Sequence, residues 1–174
     1  MMISFLLIRV SVWLALAAWF MGAGCRAMLP SGYRVSQGAD DQNMRELGYR
    51  WSWLWSAVAT WVHVIASYGL VHSWDHQAVV TQTAEESFQA TGIRAGWGVY
   101  VNFAYAGILL AYSVAMILCR RRLAFFDSLV FWFTAFIVFN AAIVFKGGVL
   151  RIITSLAFAV LLFLMFASNR RTSE

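Results

Sequence analysis

The sequence predicts an all-α protein, a polytopic bundle of about five transmembrane helices that forms one integral membrane domain over residues 1–174. Three observations predict this class. Hydrophobic residues make up 61% of the chain and charged residues only 12%, and the mean hydropathy is +0.69, too apolar for a soluble domain. Five apolar runs are each long enough to cross a bilayer. Charged residues lie mainly between these runs.

The five predicted spans cover residues 2–24, 51–73, 98–118, 124–144 and 149–167. The first run also resembles the apolar core of a signal peptide, and the small residues before Cys25 resemble a lipoprotein cleavage site. The third position before that cysteine is Gly22, where such sites usually have leucine. We therefore expect the first run to stay in the protein as a transmembrane helix.

Two long polar segments separate the spans. Residues 26–50 contain Gly, Pro and both signs of charge, which predicts a loop with a short interfacial turn at 44–49. Residues 75–92 predict an extramembrane loop that contains a short helix. The Thr-Ala-Glu-Glu sequence at 83–86 is a capping-box pattern, and Thr91 followed by Gly92 is typical of a helix end.

The basic residues predict how the chain is oriented. With five spans, nine of them fall on one side: Arg26, Arg34, Arg45, Arg50, Arg120, Arg121, Arg122, Arg170 and Arg171. The other side receives four: Arg9, Arg94, Lys146 and Arg151. Because the richer side is normally cytoplasmic, we expect a cytoplasmic (inner) membrane protein with its N-terminus outside and its C-terminus inside. The basic residues form no continuous patch, so we expect no nucleic-acid partner.

All three histidines lie in or just after the second span. His72 and His76 are four residues apart, which places them on one face of a continuous helix, an arrangement that can bind a metal ion. Asp75 is a candidate third ligand. Imidazole ligands suit Zn, Cu or Fe. The competing hypothesis is that the pair belongs to an ordinary interfacial helix and binds no metal.

His63 is predicted to act separately from that pair. It precedes His72 by nine residues, about half a turn away round a straight helix at roughly 100° per residue. Three histidines would converge only if the helix were kinked, for which Gly69 is the only local reason. As a cofactor ligand, His63 could bind a b-type haem only together with another subunit. Its alternative role is a buried histidine hydrogen-bonded to a neighbouring helix.

Four further polar residues are predicted at the same outer level as the histidines: Tyr100, Asn102, Asn140 and Arg151. An amide inside a span must find a hydrogen-bond partner, because lipid offers none. We therefore expect Asn102 and Asn140 to face the bundle interior and to bond across helices. Together the four residues form a predicted polar cluster around the histidine site.

Two motifs follow one another along the chain. The first is His63-x8-His72-x-Trp74-x-His76, then Thr83-Ala84, then Thr91-Gly92-x3-Gly96-x-Gly98-x-Tyr100-x-Asn102, and the second is Phe139-Asn140-x3-Val144-Phe145-x2-Gly148-x2-Arg151. In both motifs the chain resembles a family of uncharacterised multi-pass proteins from planctomycete bacteria. The resemblance covers about residues 50–151. It implies one shared feature that contains the histidines, both asparagines and Arg151. Family members tend to have Ser in place of Asp75, so the resemblance assigns that residue no role.

These observations leave three classes of function. The first is a small membrane protein with a metal- or cofactor-associated site at its outer face, such as a redox or transport accessory subunit. The second is a purely structural subunit that packs against other membrane subunits, or against a second copy of itself, through faces rich in Trp and Phe. A membrane-embedded enzyme is less favoured, because no nucleophile or catalytic motif stands out.

Overall fold

The computed structural model describes residues 2–29, 40–119, 124–144 and 148–171, and within these ranges the chain forms helices and no strand. The helices are α1 (Met2–Ala27), α2 (Asp40–Ala66), α3 (His76–Thr91), α4 (Gly98–Cys119), α5 (Ala124–Phe139) and α6 (Gly148–Arg171). A π-helical turn extends α2 over Ser67–Val71, and another extends α5 over Asn140–Val144.

Five of these helical segments are long and apolar enough to cross a membrane: Leu6–Ala27, Met44–Val71, Gly98–Leu118, Phe125–Val144 and Gly148–Ala167. The predicted fold class is therefore confirmed, and the chain is a small multi-pass integral membrane protein. Helix α3 is the short extramembrane helix that the sequence predicts between the second and third spans.

The predicted loop over residues 26–50 is wrong at 26–27 and at 40–50, which are helical, while residues 30–39 lie outside the described residues. Helix α1 continues to Ala27, and α2 already begins at Asp40. Two interactions stabilise this early part of α2. Glu46 and Arg50 form an ion pair one helical turn apart, and Tyr49 is buried with its ring edge against Trp53. Helix formation here depends on packing that a count of polar residues does not reveal.

Helices α1 and α2 pack antiparallel along most of their length. Ser56 Oγ donates to Ala15 O at 3.0 Å in the middle of the pair, and His63 lies against the N-terminal part of α1. Towards the other end the Trp53 side chain packs so closely on the backbone of α1 that a Cβ atom on Gly22 would lie 2.8 Å from Trp53 Cδ1. Small residues are common where membrane helices come this close.

The remaining spans pack around this pair through buried aromatic side chains. On one side, Trp19 stacks on Phe131 of α5 and donates from Nε1 to Thr134 Oγ1 at 3.1 Å, and it also contacts α6. On the other side, Trp61 of α2 donates to Ala106 O of α4 at 3.2 Å.

These contacts define two ends of the bundle. The aspartate end, named after Asp127, comprises the C-terminal end of α1, the first turns of α2, the last turns of α4 and the start of α5. The histidine end holds the π-helical turn of α2, helix α3 and the start of α4.

Candidate functional site

The second span ends in a distorted turn that separates two of the histidines. The π-helical turn Ser67–Val71 brings the His72 N–H to Ser67 O at 3.3 Å. Ser73 and Trp74 then take positive φ values of 49° and 64°. The Trp74 ring folds back over Gly69, where a Cβ atom would lie 3.1 Å from Trp74 Cζ2.

The predicted common helical face for His72 and His76 is therefore wrong. His72 caps the end of the second span, whereas His76 is the first residue of α3. Residues four apart lie on the same helical face only along an unbroken helix. Left-handed backbone at two non-glycine residues breaks the helix between these histidines.

Asp75 starts α3 as its N-cap. Its Oδ1 accepts hydrogen bonds from the backbone N–H groups of Gln77 at 2.9 Å and Ala78 at 3.1 Å, as an N-cap carboxylate does. The metal-ligand role predicted for Asp75 thus competes with a structural role already in place. The capping-box pattern at 83–86 lies inside α3 and not at its start. The predicted end at Thr91 is confirmed, because Gly92 has φ 78° and closes the helix.

His76 lies between two tyrosines from different helices. Tyr68 Oη is 3.1 Å from His76 Nδ1, and Tyr100 Oη is 3.2 Å from His76 Nε2. A neutral imidazole donates from one ring nitrogen and accepts at the other, so this ring can bond both hydroxyls at once. The His72 ring meets Tyr68 edge-on, with centroids 6.4 Å apart. The rings of both histidines thus contact the Tyr68 ring.

His63 faces α1 instead of this cluster. Its Nδ1 lies 3.2 Å from Ile8 O and 3.4 Å from Ser11 Oγ. The side chain is half-buried. This is the arrangement expected of a histidine that bonds a neighbouring helix. Across the described residues, no group of three His, Cys, Asp or Glu side chains could hold a metal ion.

Of the four predicted supporting residues, the structure joins only Tyr100 to a histidine. Asn102 is exposed, so the prediction that it faces the bundle interior is wrong. Asn140 donates from Nδ2 to Phe136 O at 2.7 Å, a bond within its own helix and not across helices. Arg151 Nη2 lies 3.5 Å from Val144 O.

A buried carboxylate that we did not predict from the sequence lies at the other end of the bundle. Asp127 of α5 is only 1% exposed. Its Oδ2 accepts from Arg26 Nε at 2.9 Å, and its Oδ1 accepts from Tyr112 Oη at 2.6 Å and from Tyr49 Oη. Four helices, α1, α2, α4 and α5, therefore meet at one carboxylate.

Arg26 completes this site in two further ways. Its Nη2 donates to Ser128 Oγ at 3.1 Å, and its guanidinium lies over the Phe131 ring at 4.2 Å from the centroid. A signal for the site was present in the sequence, because Asp127 is the only acidic residue inside the five predicted spans. An ionisable residue inside a span is a candidate functional residue in its own right.

Comparison of the chain with protein-family models, with curated proteins and with solved structures finds no match. The arrangement of the side chains therefore carries the functional argument.

Asp75 can be tested as a helix cap by two substitutions. We expect Asp75→Ala to lower the stability of α3 by about 1 kcal/mol, and Asp75→Ser to change it little, because a serine hydroxyl can cap the same N–H groups. Hydrogen exchange of the first backbone amides of α3 measures the difference, with about fivefold faster exchange expected in the alanine variant. Equal exchange in both variants would contradict the capping role.

Proposed function

We propose that this protein is a structural subunit of a membrane assembly, in which the histidine-containing site fastens the extramembrane helix to the transmembrane bundle. One observation carries the proposal: both ring nitrogens of His76 lie at hydrogen-bond distance from tyrosine hydroxyls of the second and third spans. A histidine used in this way connects three elements, α2, α3 and α4. Its neighbour Asp75 caps α3 at the same point.

The close contact between α3 and the start of α4 supports this role. A Cβ atom on Gly96 would lie 2.9 Å from Val80 Cγ1 and 3.1 Å from Val80 O. Glycine thus lets the connecting segment approach the backbone of α3. Arg94 also lies 3.4 Å from Glu85 and covers the Phe88 ring. These contacts fold α3 back on the segment that follows it, so the loop presents a fixed surface.

The expected partners are lipid and other membrane subunits, or a second copy of this chain. The exposed carboxamide of Asn102, near the start of the third span, is a polar group that such a partner could bond. If the chain belongs to the planctomycete family that it resembles, the motif histidine at position 76 would fasten the same loop throughout that family.

A metal- or cofactor-associated subunit is the competing function. If His72 and His76 bound Zn, Cu or Fe, one ring nitrogen of His76 would bind the metal and lose its hydrogen bond to a tyrosine hydroxyl. Asp75 could join as a third ligand only through Oδ2, because Oδ1 accepts the two N–H groups of α3. The binding energy of the metal would have to offset the loss of the tyrosine hydrogen bond.

The two functions predict different results for two matched variants. We expect His76→Phe to loosen α3, because it removes two hydrogen bonds worth roughly 1 kcal/mol each, whereas His72→Phe should keep its aromatic contact with Tyr68. Hydrogen exchange across α3 and elemental analysis of the purified protein provide the measurements. One metal ion per chain, lost in both variants, would overturn the structural proposal and support the metal site.

We also propose that the protein lies in the cytoplasmic membrane with the histidine end outside. The nine-to-four split of basic residues supports this orientation. The packing of Arg26 and Tyr49 against the start of α5 supports the grouping of these regions on one side, because it brings the segment 26–50 and the start of α5 to one end of the bundle.

Reporter fusions test the orientation. A reporter that works only in the cytoplasm should be active when it is fused after Ser173. A reporter that works only outside the cytoplasm should be active when it is inserted near Gln89 of α3. These are the results expected if the side richer in Arg and Lys stays in the cytoplasm. Activity of the cytoplasmic reporter near Gln89 would reverse the placement of the histidine end.

A further inference from the structure

Helix α2 has a polar face that runs the length of its span. The residues on this face follow one another at intervals of three or four: Tyr49, Ser52, Ser56, Thr60, His63 and Ser67. At roughly 100° per residue they occupy an arc of about 80°. Every one of them is buried or half-buried. A continuous polar face inside an otherwise apolar bundle requires hydrogen-bond partners along its whole length.

The middle of this face has partners within the protein. Ser56 Oγ donates to Ala15 O at 3.0 Å, and Thr60 Oγ1 donates to Ser56 O at 2.8 Å. The Tyr105 hydroxyl of α4 lies close to the side chains of both. Hydroxyl groups from α2 and α4 thus meet at the centre of the bundle.

Two buried polar atoms next to this centre have no partner among the described residues. They are Ser52 Oγ and Trp53 Nε1, on side chains that are 1% and 0% exposed. An indole N–H is a donor that buried tryptophans normally satisfy. Buried polar groups without protein partners are the usual positions of internal water.

The unpartnered indole adjoins the buried carboxylate site. The Trp53 ring meets the Tyr49 ring at 5.9 Å and the Tyr112 ring at 5.8 Å between centroids. These are the two tyrosines whose hydroxyls donate to Asp127. The Trp53 ring therefore packs against the tyrosines of the Asp127 network, while its Nε1 lies close to Gly22 of α1, as does the side chain of Ser52.

We propose that water bound at Ser52 and Trp53 completes a proton path along α2, between His63 and Asp127. Side chains three or four residues apart on a helix have Cβ atoms about 5–6 Å apart. That separation suits one bridging water, which makes two hydrogen bonds of about 2.8 Å. The site binds water, and the path carries protons.

Proton transfer along such a path balances without any oxidant or reductant. The Ser56 and Thr60 hydroxyls first turn their O–H bonds away from the carbonyls of Ala15 and Ser56. Each group then releases one proton to the next group as it accepts one from the group before, so one O–H or N–H bond forms for each that breaks. A neutral imidazole can accept at one nitrogen while it donates from the other, which suits His63 to this role. Ser67 continues the face towards the exposed cluster of Tyr68, His76 and Tyr100.

Reconstituted vesicles test the proton path. The full-length protein is placed in liposomes that contain a pH-sensitive dye, and a potassium gradient with valinomycin supplies the driving force and balances the charge. We expect faster acidification than in protein-free liposomes. Ser52→Ala should slow it about tenfold, the change that loss of one buried hydrogen bond makes to a barrier.

Ser113→Ala is the matched control. Ser113 is also 0% exposed, but it lies on α4 and donates to Leu109 O of its own helix at 2.6 Å. Its removal should leave the flux unchanged. A flux equal to that of protein-free liposomes, or an equal reduction by both serine substitutions, would overturn the proton path.

Exchange of indole N–H groups into D2O tests the water separately. Trp53→Phe assigns the Trp53 signal, and Trp19→Phe assigns the reference, since Trp19 donates directly to Thr134. We expect the Trp53 N–H to exchange about tenfold faster than the Trp19 N–H, because water reaches only the first. Equal protection would overturn the water site, and absence of flux would overturn the path even if Trp53 exchanges.

Discussion

The buried carboxylate of Asp127 constrains the arrangement of four of the five membrane helices. Removing a carboxylate from water is costly, and the cost is offset only when a positive charge and further hydrogen bonds surround it. Arg26 supplies the charge, and Tyr49 and Tyr112 supply the hydrogen bonds. Because each partner comes from a different helix, α1, α2 and α4 must all hold their positions relative to α5 for the carboxylate to remain paired.

The histidine end is held by weaker interactions. A helix cap, two hydrogen bonds to an exposed imidazole and one surface ion pair fasten α3 there. Each of these is worth about 1 kcal/mol or less, because water competes for exposed groups. Local opening of α3 is therefore expected to need less free energy than separation of the helices at the aspartate end. Helix α3 is therefore held less firmly than the transmembrane helices at the aspartate end.

The sequence predicts the parts of this structure that depend on local patterns. Hydropathy predicts the five spans, and Gly92 predicts the end of α3, because a left-handed residue there favours glycine. The separation of His72 from His76 could not be predicted, since Ser73 and Trp74 take positive φ without a glycine to indicate it. Nor does helical periodicity reveal which helices meet: Arg26 and Asp127 are 101 residues apart in the chain.

A double-mutant cycle on Arg26 and Asp127 tests the central claim most directly. Reversible unfolding in detergent would be measured for Arg26→Met, Asp127→Asn and the double variant. Each single substitution should lower the free energy of unfolding by about 3–5 kcal/mol, because it leaves one buried charge unpaired. The double variant should lose less than the sum, with a coupling energy of about 1–3 kcal/mol. Additive losses, or single variants as stable as the unmodified protein, would contradict the claim that this pair holds the bundle together.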